Sequence, residues 1–238
     1  MRLALMQPYF LPYVGYFQLL AAVDEFIVYD NIKYTKKGWI NRNRMLRNGA
    51  DVMFSLPLKS ASDSLDVVER ELSETFERDK LLAQFEGAYR KAPYFAQTLP
   101  LIQRVVGCPE VNLFRYIHHS LVEVCAHLGL TTKVTISSTI PVDRSLKNQD
   151  LVLAYCQARG AKTYVNAIGG TALYTKAAFQ ERGIELRFIK SKPFEYPQLG
   201  APFVPWLSIL DVMMFNPVDA IRAYLSTHYE LIEAPEPA

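Results

Sequence analysis

The first thirty residues carry the pattern that most constrains the fold. Residues 2–6, RLALM, form a short apolar run that ends before a proline, as expected of a buried strand. Residues 15–24, GYFQLLAAVD, place apolar side chains at helical spacing, and residues 25–30, EFIVYD, are rich in β-branched and aromatic side chains. Strand, loop, helix and strand make a βαβ unit, which implies a parallel pair of strands and a right-handed crossover.

Strand and helix patterns alternate again in the second half of the chain. Residues 133–139, 161–170 and 184–190 are strand-like, as is DVMFSLPL at 51–58, whereas 150–160 and 171–183 are helical and end at glycines. This alternation predicts an α/β protein with a three-layer, mostly parallel sheet, Rossmann-like and with a nucleotidyltransferase-like start.

A helical block interrupts the alternation. Residues 64–92 are charged and amphipathic, and residues 111–130 have apolar side chains at helical spacing before a glycine stop. The predicted organisation is an α/β core over residues 1–63 and 131–200, a helical insertion over 64–130, C-terminal helices packing on the core over 201–232, and a disordered tail over 233–238.

Composition excludes several classes of protein. Hydrophobic residues make up 50% of the chain and charged residues 21%, as in folded globular proteins. No apolar stretch approaches the roughly 20 residues of a membrane helix, and no signal peptide precedes the fold, so we expect a cytoplasmic protein. The three widely spaced cysteines predict neither disulfides nor a metal site, and no HExxH spacing is present. No metal and no cofactor is predicted.

The loop QPYFLPYVGYF at residues 7–17 crowds aromatic rings between two apolar elements. Ligands of open α/β sheets bind where strands end and helices begin, which is the position of this loop. Its rings and hydroxyls suit stacking on, or hydrogen bonding to, a ligand, whereas the alternative is that the rings merely cap the core. The predicted binding residues here are Gln7, Tyr9, Tyr13, Gly15 and Tyr16.

A basic segment follows the second predicted strand. Residues 31–49 hold six Lys or Arg residues and no acid, interleaved with aromatic and amide side chains. This pattern suits a phosphate or carboxylate ligand, although charged runs are also common on solvated faces. Asp30, at the strand end, is the predicted catalytic base, and the predicted binding residues are Lys36, Lys37, Trp39, Asn41, Arg42 and Arg44.

A third segment, YVNAIGG at residues 164–170, runs from a predicted strand into two glycines. Backbone N–H groups at such a turn present donors to a phosphate. Asn166, Gly169 and Gly170 are therefore predicted binding residues, although the segment is neither a Walker loop nor a GxGxxG motif.

Three stretches together resemble the WbqC-like protein family. They are residues 7–45 (QPYFLPYVGYFQLLAAVDEFIVYDNIKYTKKGWINRNRM), the pattern YVNAIGG–x3–Y–x4–F–x3–GI and residues 203–217 (FVPWLSILDVMMFNP). The resemblance implies a role in bacterial surface-polysaccharide (O-antigen, lipopolysaccharide) biosynthesis, close to nucleotide-linked sugars. It implies a transferase that moves an acyl or aminoacyl group to an amino sugar.

Two alternatives stay open at this point. One is a nucleotidyltransferase-like sugar-phosphate enzyme, because the N-terminal βαβ unit is similar to that of nucleotidyltransferases. Tyr13 and Tyr16 stand where those enzymes have the histidines of their HxGH motif, so the imidazole chemistry of that motif is not expected. A non-catalytic module that binds a sugar nucleotide or a protein partner is the other alternative. The expected partners are a nucleotide-sugar or another phosphorylated small molecule and an acyl or aminoacyl donor, with nucleic acid expected only as a charged tRNA donor.

Overall fold

The structure, a computed structural model, describes residues 1–200 and 202–233. The strands are β1 (Arg2–Met6), β2 (Glu25–Val28), β3 (Arg42–Arg47), β4 (Ala50–Ser55), β5 (Lys133–Ile136), β6 (Thr163–Ala167), β7 (Glu185–Ser191) and β8 (Tyr229–Glu233). The helices are α1 (Val14–Ala21), α2 (Arg78–Tyr89), α3 (Phe95–Val106), α4 (Leu113–Leu128), α5 (Asn148–Ala158), α6 (Lys176–Gln180), α7 (Ile209–Phe215) and α8 (Val218–Thr227). Within these residues, no helix combines the length and apolar character needed to traverse a bilayer.

Six strands form one sheet in the order β5-β2-β1-β6-β7-β8. The first five run parallel, and β8 pairs with β7 in the antiparallel sense. β1 is central: Leu3 is in register with Glu25 of β2 on one side and with Tyr164 of β6 on the other. The α/β class and the mostly parallel sheet expected from the sequence are confirmed.

Both faces of this sheet are covered. Successive residues of a strand point to opposite faces, and in β1 Ala4 joins one apolar cluster while Leu3 and Leu5 join another. The first cluster unites the sheet with side chains of α1, of α2 to α4 and of α7 and α8; the second unites it with α5 and α6. Helices α2 to α4, from the predicted insertion, therefore pack into the same core as the central strands.

Both ends of α4 are capped, and its C-terminus is at the glycine that the sequence predicts. The Asn112 side chain accepts a hydrogen bond from the Arg115 backbone N–H at 3.1 Å, which caps the first turn. Gly129 ends the helix with a φ of 64°, a left-handed conformation that glycine adopts without steric cost.

Residues 64–77 differ from their predicted helical structure. They form an extended segment with one short 3-10 turn at Val67–Glu69, and α2 begins at Arg78. Their backbone pairs with three other parts of the chain, through the bridges Lys33 to Asp66, Leu58 to Leu72 and Glu71 to Asn112. These tertiary hydrogen bonds replace those that a helix would supply, and they outweigh local helix propensity.

Two strands were not anticipated from the sequence. β3 lies within the basic segment and forms a separate antiparallel hairpin with β4. β8 follows the C-terminal helices and ends at Glu233, the first residue of the predicted tail. The rest of that tail, residues 234–238, lies outside the described residues.

Candidate functional site

Two adjoining cavities lie beside the loop between β1 and α1. The larger one, which we call the aromatic cavity, has a volume of about 470 Å³ and is lined by residues 13–15, 190–196, 203, 205–207, 212 and 224. The smaller one, which we call the tryptophan cleft, has about 280 Å³ and is lined by Tyr9, Pro12, Tyr13, Trp39, Asn43, Arg44 and Trp206. Both lie where parallel strands end, the usual position of ligand sites in α/β sheets.

Three segments form the site: the β1–α1 loop, the residues at the start of β3 and the residues that precede α7. Hydrogen bonds to main-chain groups hold them together. The Phe10 N–H donates to the Ile40 carbonyl at 2.9 Å, which ties the β1–α1 loop to the residues before β3. The Leu11 carbonyl accepts from the Asn43 side-chain amide at 2.8 Å and from the Ser208 hydroxyl at 2.7 Å. Because Asn43 and Ser208 are both buried, these bonds fix the loop between the hairpin and the start of α7.

Tyr13 and Trp206 form the wall that the two cavities share. Their ring centroids are 6.0 Å apart in an edge-to-face arrangement. Gly15 makes room for this arrangement, since a methyl group there would lie 2.8 Å from the Tyr13 hydroxyl oxygen. Gly15 is a predicted binding residue, but in the structure the space above it holds the Tyr13 ring.

An arginine and a tryptophan stack along one side of the tryptophan cleft. The guanidinium carbon of Arg44 lies 5.6 Å from the Trp39 ring centroid. Its Nη1 pairs with Asp51 at 3.1 Å and its Nη2 donates to the Trp206 carbonyl at 3.2 Å. Its Nε is buried and has no hydrogen-bond partner among the described residues. Trp39 keeps 41% of its surface exposed, so its ring is accessible.

Two of the tyrosine hydroxyls at the aromatic cavity are engaged within the protein. The Tyr196 hydroxyl donates to the buried Asp211 carboxylate at 2.8 Å, and the Tyr224 hydroxyl donates to the Lys192 carbonyl at 2.7 Å. Burial raises the pKa of both tyrosines, and the neighbouring carboxylate raises that of Tyr196 further. Burial also raises the pKa of Asp211. Among the described lining residues, Glu195 is the one carboxylate.

Asp30, the predicted catalytic base, lines neither cavity. It is 4% exposed, and its Oδ1 accepts from the Ser137 hydroxyl at 2.7 Å and from the Ser138 backbone N–H at 2.9 Å. These bonds anchor the 3-10 turn Ser137–Thr139 after β5 to the end of β2. The carboxylate has a structural use that the sequence pattern did not reveal.

Several predicted binding residues of the basic segment also lie outside the lining of the cavities. Lys36 pairs with Asp63 at 2.8 Å on the surface. The Asn41 side chain accepts from Tyr34 at 2.9 Å and donates to the Leu56 carbonyl at 2.8 Å. Lys37 is exposed, and Arg42 donates to the Gly38 and Lys37 carbonyls while lying near the Trp39 ring.

The predicted residues of the aromatic loop are divided between the cleft and the core. Tyr9 and Tyr13 line the tryptophan cleft. Tyr16 is 1% exposed and donates to the Gln7 carbonyl at 3.0 Å, so it serves the core as the alternative interpretation held. The Gln7 side chain accepts from Tyr9 at 3.4 Å.

The glycine segment after β6 forms a 3-10 turn, Ile168–Leu173, rather than the start of a helix. Asn166 is buried, and its Oδ1 accepts from the Ala167 N–H at 2.8 Å. A methyl group on Gly170 would lie 2.7 Å from Asn166 Nδ2, whereas one on Gly169 would meet nothing within 4 Å. Asn166 and Gly170 therefore pack against each other, and none of the three lines either cavity.

The structure thus brings together Tyr9, Tyr13, Trp39 and Arg44 in the cleft, with Gly15 beside the aromatic cavity. The sequence analysis missed Asn43, Trp206, Tyr224 and residues 190–196 as members of the site. One signal was available for Trp206, because it follows a stretch rich in prolines and aromatic residues at positions 193–205.

Fold and cavities define an α/β protein with a ligand-sized aromatic site at its strand ends. The chain belongs to the WbqC-like protein family, whose sequence profile matches residues 7–223. A similar protein is "Uncharacterized protein Rv1507c" of Mycobacterium tuberculosis (strain ATCC 25618 / H37Rv), 26% identical over 218 residues, which cover 90% of this chain and 93% of that protein. No solved structure is significantly similar to the chain.

Proposed function

We propose that this protein is a transferase of bacterial surface-polysaccharide (O-antigen, lipopolysaccharide) biosynthesis that acts in the cytoplasm. It binds a nucleotide-linked amino sugar and transfers an acyl or aminoacyl group to the amine of that sugar. The observation that carries the proposal is the pair of adjoining cavities with one shared wall, Tyr13 and Trp206. Two compartments of this kind suit a reaction that joins two substrates.

The tryptophan cleft suits the nucleotide. Trp39 and Tyr9 offer ring faces on which a base stacks, a contact worth about 1–3 kcal/mol per base. Arg44 is held by Asp51 and by the Trp206 carbonyl, and a fixed guanidinium is well suited to a phosphate. The first turn of α1 adds uncapped backbone N–H groups beside Tyr13, and it contains no acid.

The strand order supports a Rossmann-like description of the site. Numbered along the chain, the strands of the six-stranded sheet have the order 3-2-1-4-5-6, so the strands before and after the crossover are added on opposite sides of β1, and the strand order reverses between β1 and β6. Nucleotides bind at such a switch point, outside the carboxyl ends of the strands. The β1–α1 loop, which supplies Tyr9 and Tyr13, begins there.

Transfer to an amine needs a base, and position favours Glu195 over the sequence-predicted Asp30. Glu195 is exposed at the aromatic cavity, whereas the Asp30 carboxylate is occupied elsewhere. In the proposed step the amine nitrogen attacks the carbonyl carbon of an acyl ester or thioester. A C–N bond forms and the C–O or C–S bond breaks. The proton that the amine loses passes through Glu195 to the leaving oxygen or sulfur.

Calorimetry with UDP-, GDP- and dTDP-linked amino sugars tests the proposal. We expect one of these series to bind, and Trp39→Ala to weaken that binding by about 5- to 150-fold, the equivalent of about 1–3 kcal/mol of stacking. Lys36→Ala, which removes a cation outside both cavities, is the matched control and should bind normally. Absence of binding across the panel by a folded protein, or equal affinities for the two variants, would contradict the proposal.

A further inference from the structure

We infer that the aromatic cavity is the acyl subsite and that it selects an apolar acyl group, a chain or a ring larger than acetyl or glycyl. This inference rests on the proposed transferase function, which leaves open whether an acyl or an aminoacyl group is transferred. The cavity volume of about 470 Å³ falls within the range of pockets that enclose most of a small organic ligand. A two-carbon group would leave most of that space unfilled.

Three polar side chains of the cavity wall are already engaged within the protein. Tyr196 donates its hydroxyl proton to Asp211, and Tyr224 donates its own to a backbone carbonyl. Lys192 pairs with Glu230 at 3.2 Å. Glu195 is the one carboxylate among the described lining residues, so an ammonium group would find its partner there and not on the ring faces, which suit an apolar group.

The rings pack closely enough to form a fixed apolar surface. Phe194 stacks on Tyr224 with centroids 3.9 Å apart and an interplanar angle of 22°. Phe203 meets Tyr196 edge-to-face at 5.2 Å. Because Tyr196 is anchored on the buried Asp211 carboxylate, this part of the wall is held in place before a ligand arrives.

The shared wall determines where the carbonyl of such a group would lie. The Tyr13 hydroxyl makes no hydrogen bond to the described residues, although Tyr13 borders both cavities. An acyl chain in the aromatic cavity would therefore place its carbonyl oxygen toward Tyr13, facing the sugar amine from the tryptophan cleft. Tyr13 is the specificity-determining contact for the carbonyl end, and the rings select the apolar end.

A chain-length series tests the inference. The probes are acetyl, butyryl, hexanoyl and octanoyl thioesters of N-acetylcysteamine, with glycine methyl ester as the aminoacyl probe, and the readout is binding by calorimetry. Affinity should rise by about fourfold for each added methylene until the cavity is full, the fold-change expected for burying one CH₂ group. Equal affinity for all chain lengths, or tighter binding of glycine methyl ester than of the hexanoyl thioester, would overturn the inference.

Matched variants test whether the dependence of affinity on chain length comes from this cavity. Val14→Phe fills the cavity from the first turn of α1 and should weaken the octanoyl probe most, while Val122→Phe, on an exposed face of α4, should change nothing. Phe203→Ala enlarges the cavity and should shift the preferred chain to a longer one, a gain that a misfolded variant could not give. A length preference that none of the variants alters would place the acyl group elsewhere.

The two proposals fail in different ways. Trp39→Ala should weaken nucleotide-sugar binding and leave the chain-length series intact, whereas Val14→Phe should weaken binding of the longer acyl probes and leave nucleotide-sugar binding intact. A protein that binds the acyl series but no nucleotide-sugar would contradict the proposed function alone. One that binds nucleotide-sugars without any preference for chain length would contradict the acyl subsite alone.

Discussion

Gly15→Ala should destabilise this protein, although replacing glycine by alanine within a helix ordinarily stabilises it. Gly15 is the second residue of α1, and the change to alanine contributes about 0.5–1 kcal/mol of helix stability elsewhere. Here the added methyl would lie 2.7 Å from Cζ and 2.8 Å from the hydroxyl oxygen of Tyr13. Overpacking of this kind costs about 1–3 kcal/mol, so the net loss should be about 1–2 kcal/mol.

Gly87→Ala supplies the matched comparison. Gly87 lies inside α2, and a methyl group there meets no heavy atom within 4 Å. This variant should gain about 0.5–1 kcal/mol in free energy of unfolding. The two alanine variants should therefore differ by about 2 kcal/mol, which corresponds to melting temperatures about 4–8 °C apart for a chain of this size.

Urea denaturation followed by intrinsic fluorescence measures the free energy of unfolding, and the emission of the native state shows whether the surroundings of the tryptophans have changed. Both tryptophans of the chain, Trp39 and Trp206, line the cleft beside Tyr13, so the native emission reports on this site. Gly15→Ala should shift that emission because Tyr13 must move, and Gly87→Ala should leave it unchanged. If Gly15→Ala raised stability as Gly87→Ala does, with unaltered emission, the Tyr13 ring would not pack over Gly15 and the shared wall would be refuted.

Three further substitutions test the charged groups. Burial raises the pKa of Asp211 above 3.8, so ionisation opposes folding and stability should fall as pH rises from about 3.8; Asp211→Asn should remove that fall in urea titrations at several pH values. Burial acts to raise the pKa of Glu25, but hydrogen bonds and ion pairs, among them one to Arg159 at 3.0 Å, lower it below 4.5. Glu25→Gln should therefore cost about 1–3 kcal/mol above about pH 4.5, with the difference shrinking below that pH, and an equal cost at all pH values would contradict this assignment. Asp30→Ala should cost about 1–3 kcal/mol by unpairing the Ser138 N–H, with nucleotide-sugar affinity kept, and lost activity at unchanged stability would restore Asp30 as the base.

The elements that the sequence predicted are those whose own residues show an apolar run or helical spacing. β1, α1 and β2 follow from apolar runs and helical spacing, and Gly129 ends α4 as expected. β3 was not predicted because its sequence, RNRMLR, does not alternate apolar and polar residues. Its buried Asn43 donates a hydrogen bond to the Leu11 carbonyl, and a hydropathy pattern does not reveal such a contact. Residues 64–77 were wrongly predicted to be helical because the residues with which their backbone pairs are distant in the sequence.

The site could be predicted only in part, because it is assembled from distant segments. Composition pointed to Tyr9, Tyr13, Trp39 and Arg44, where rings and cations are unusually dense for a loop. Nothing local indicated that the segment after β7 would complete the wall, since its position depends on the placement of β7 beside β6. Some predicted residues that lie outside both cavities have a polar partner nearby in space, as Lys36 has in Asp63.

Backbone strain at Trp206 supports the proposed ligand site. Trp206 has a φ of 61°, a left-handed conformation that costs roughly 1–3 kcal/mol for a residue with a side chain. Leu11 has a φ of 43° but is fully buried, so burial of its side chain in the core offsets the strain. Trp206 stays 65% exposed and recovers little free energy from burial. If a ligand binds at the cleft as proposed, its contact with this ring would offset the strain, so replacing Trp206 should affect binding more than stability.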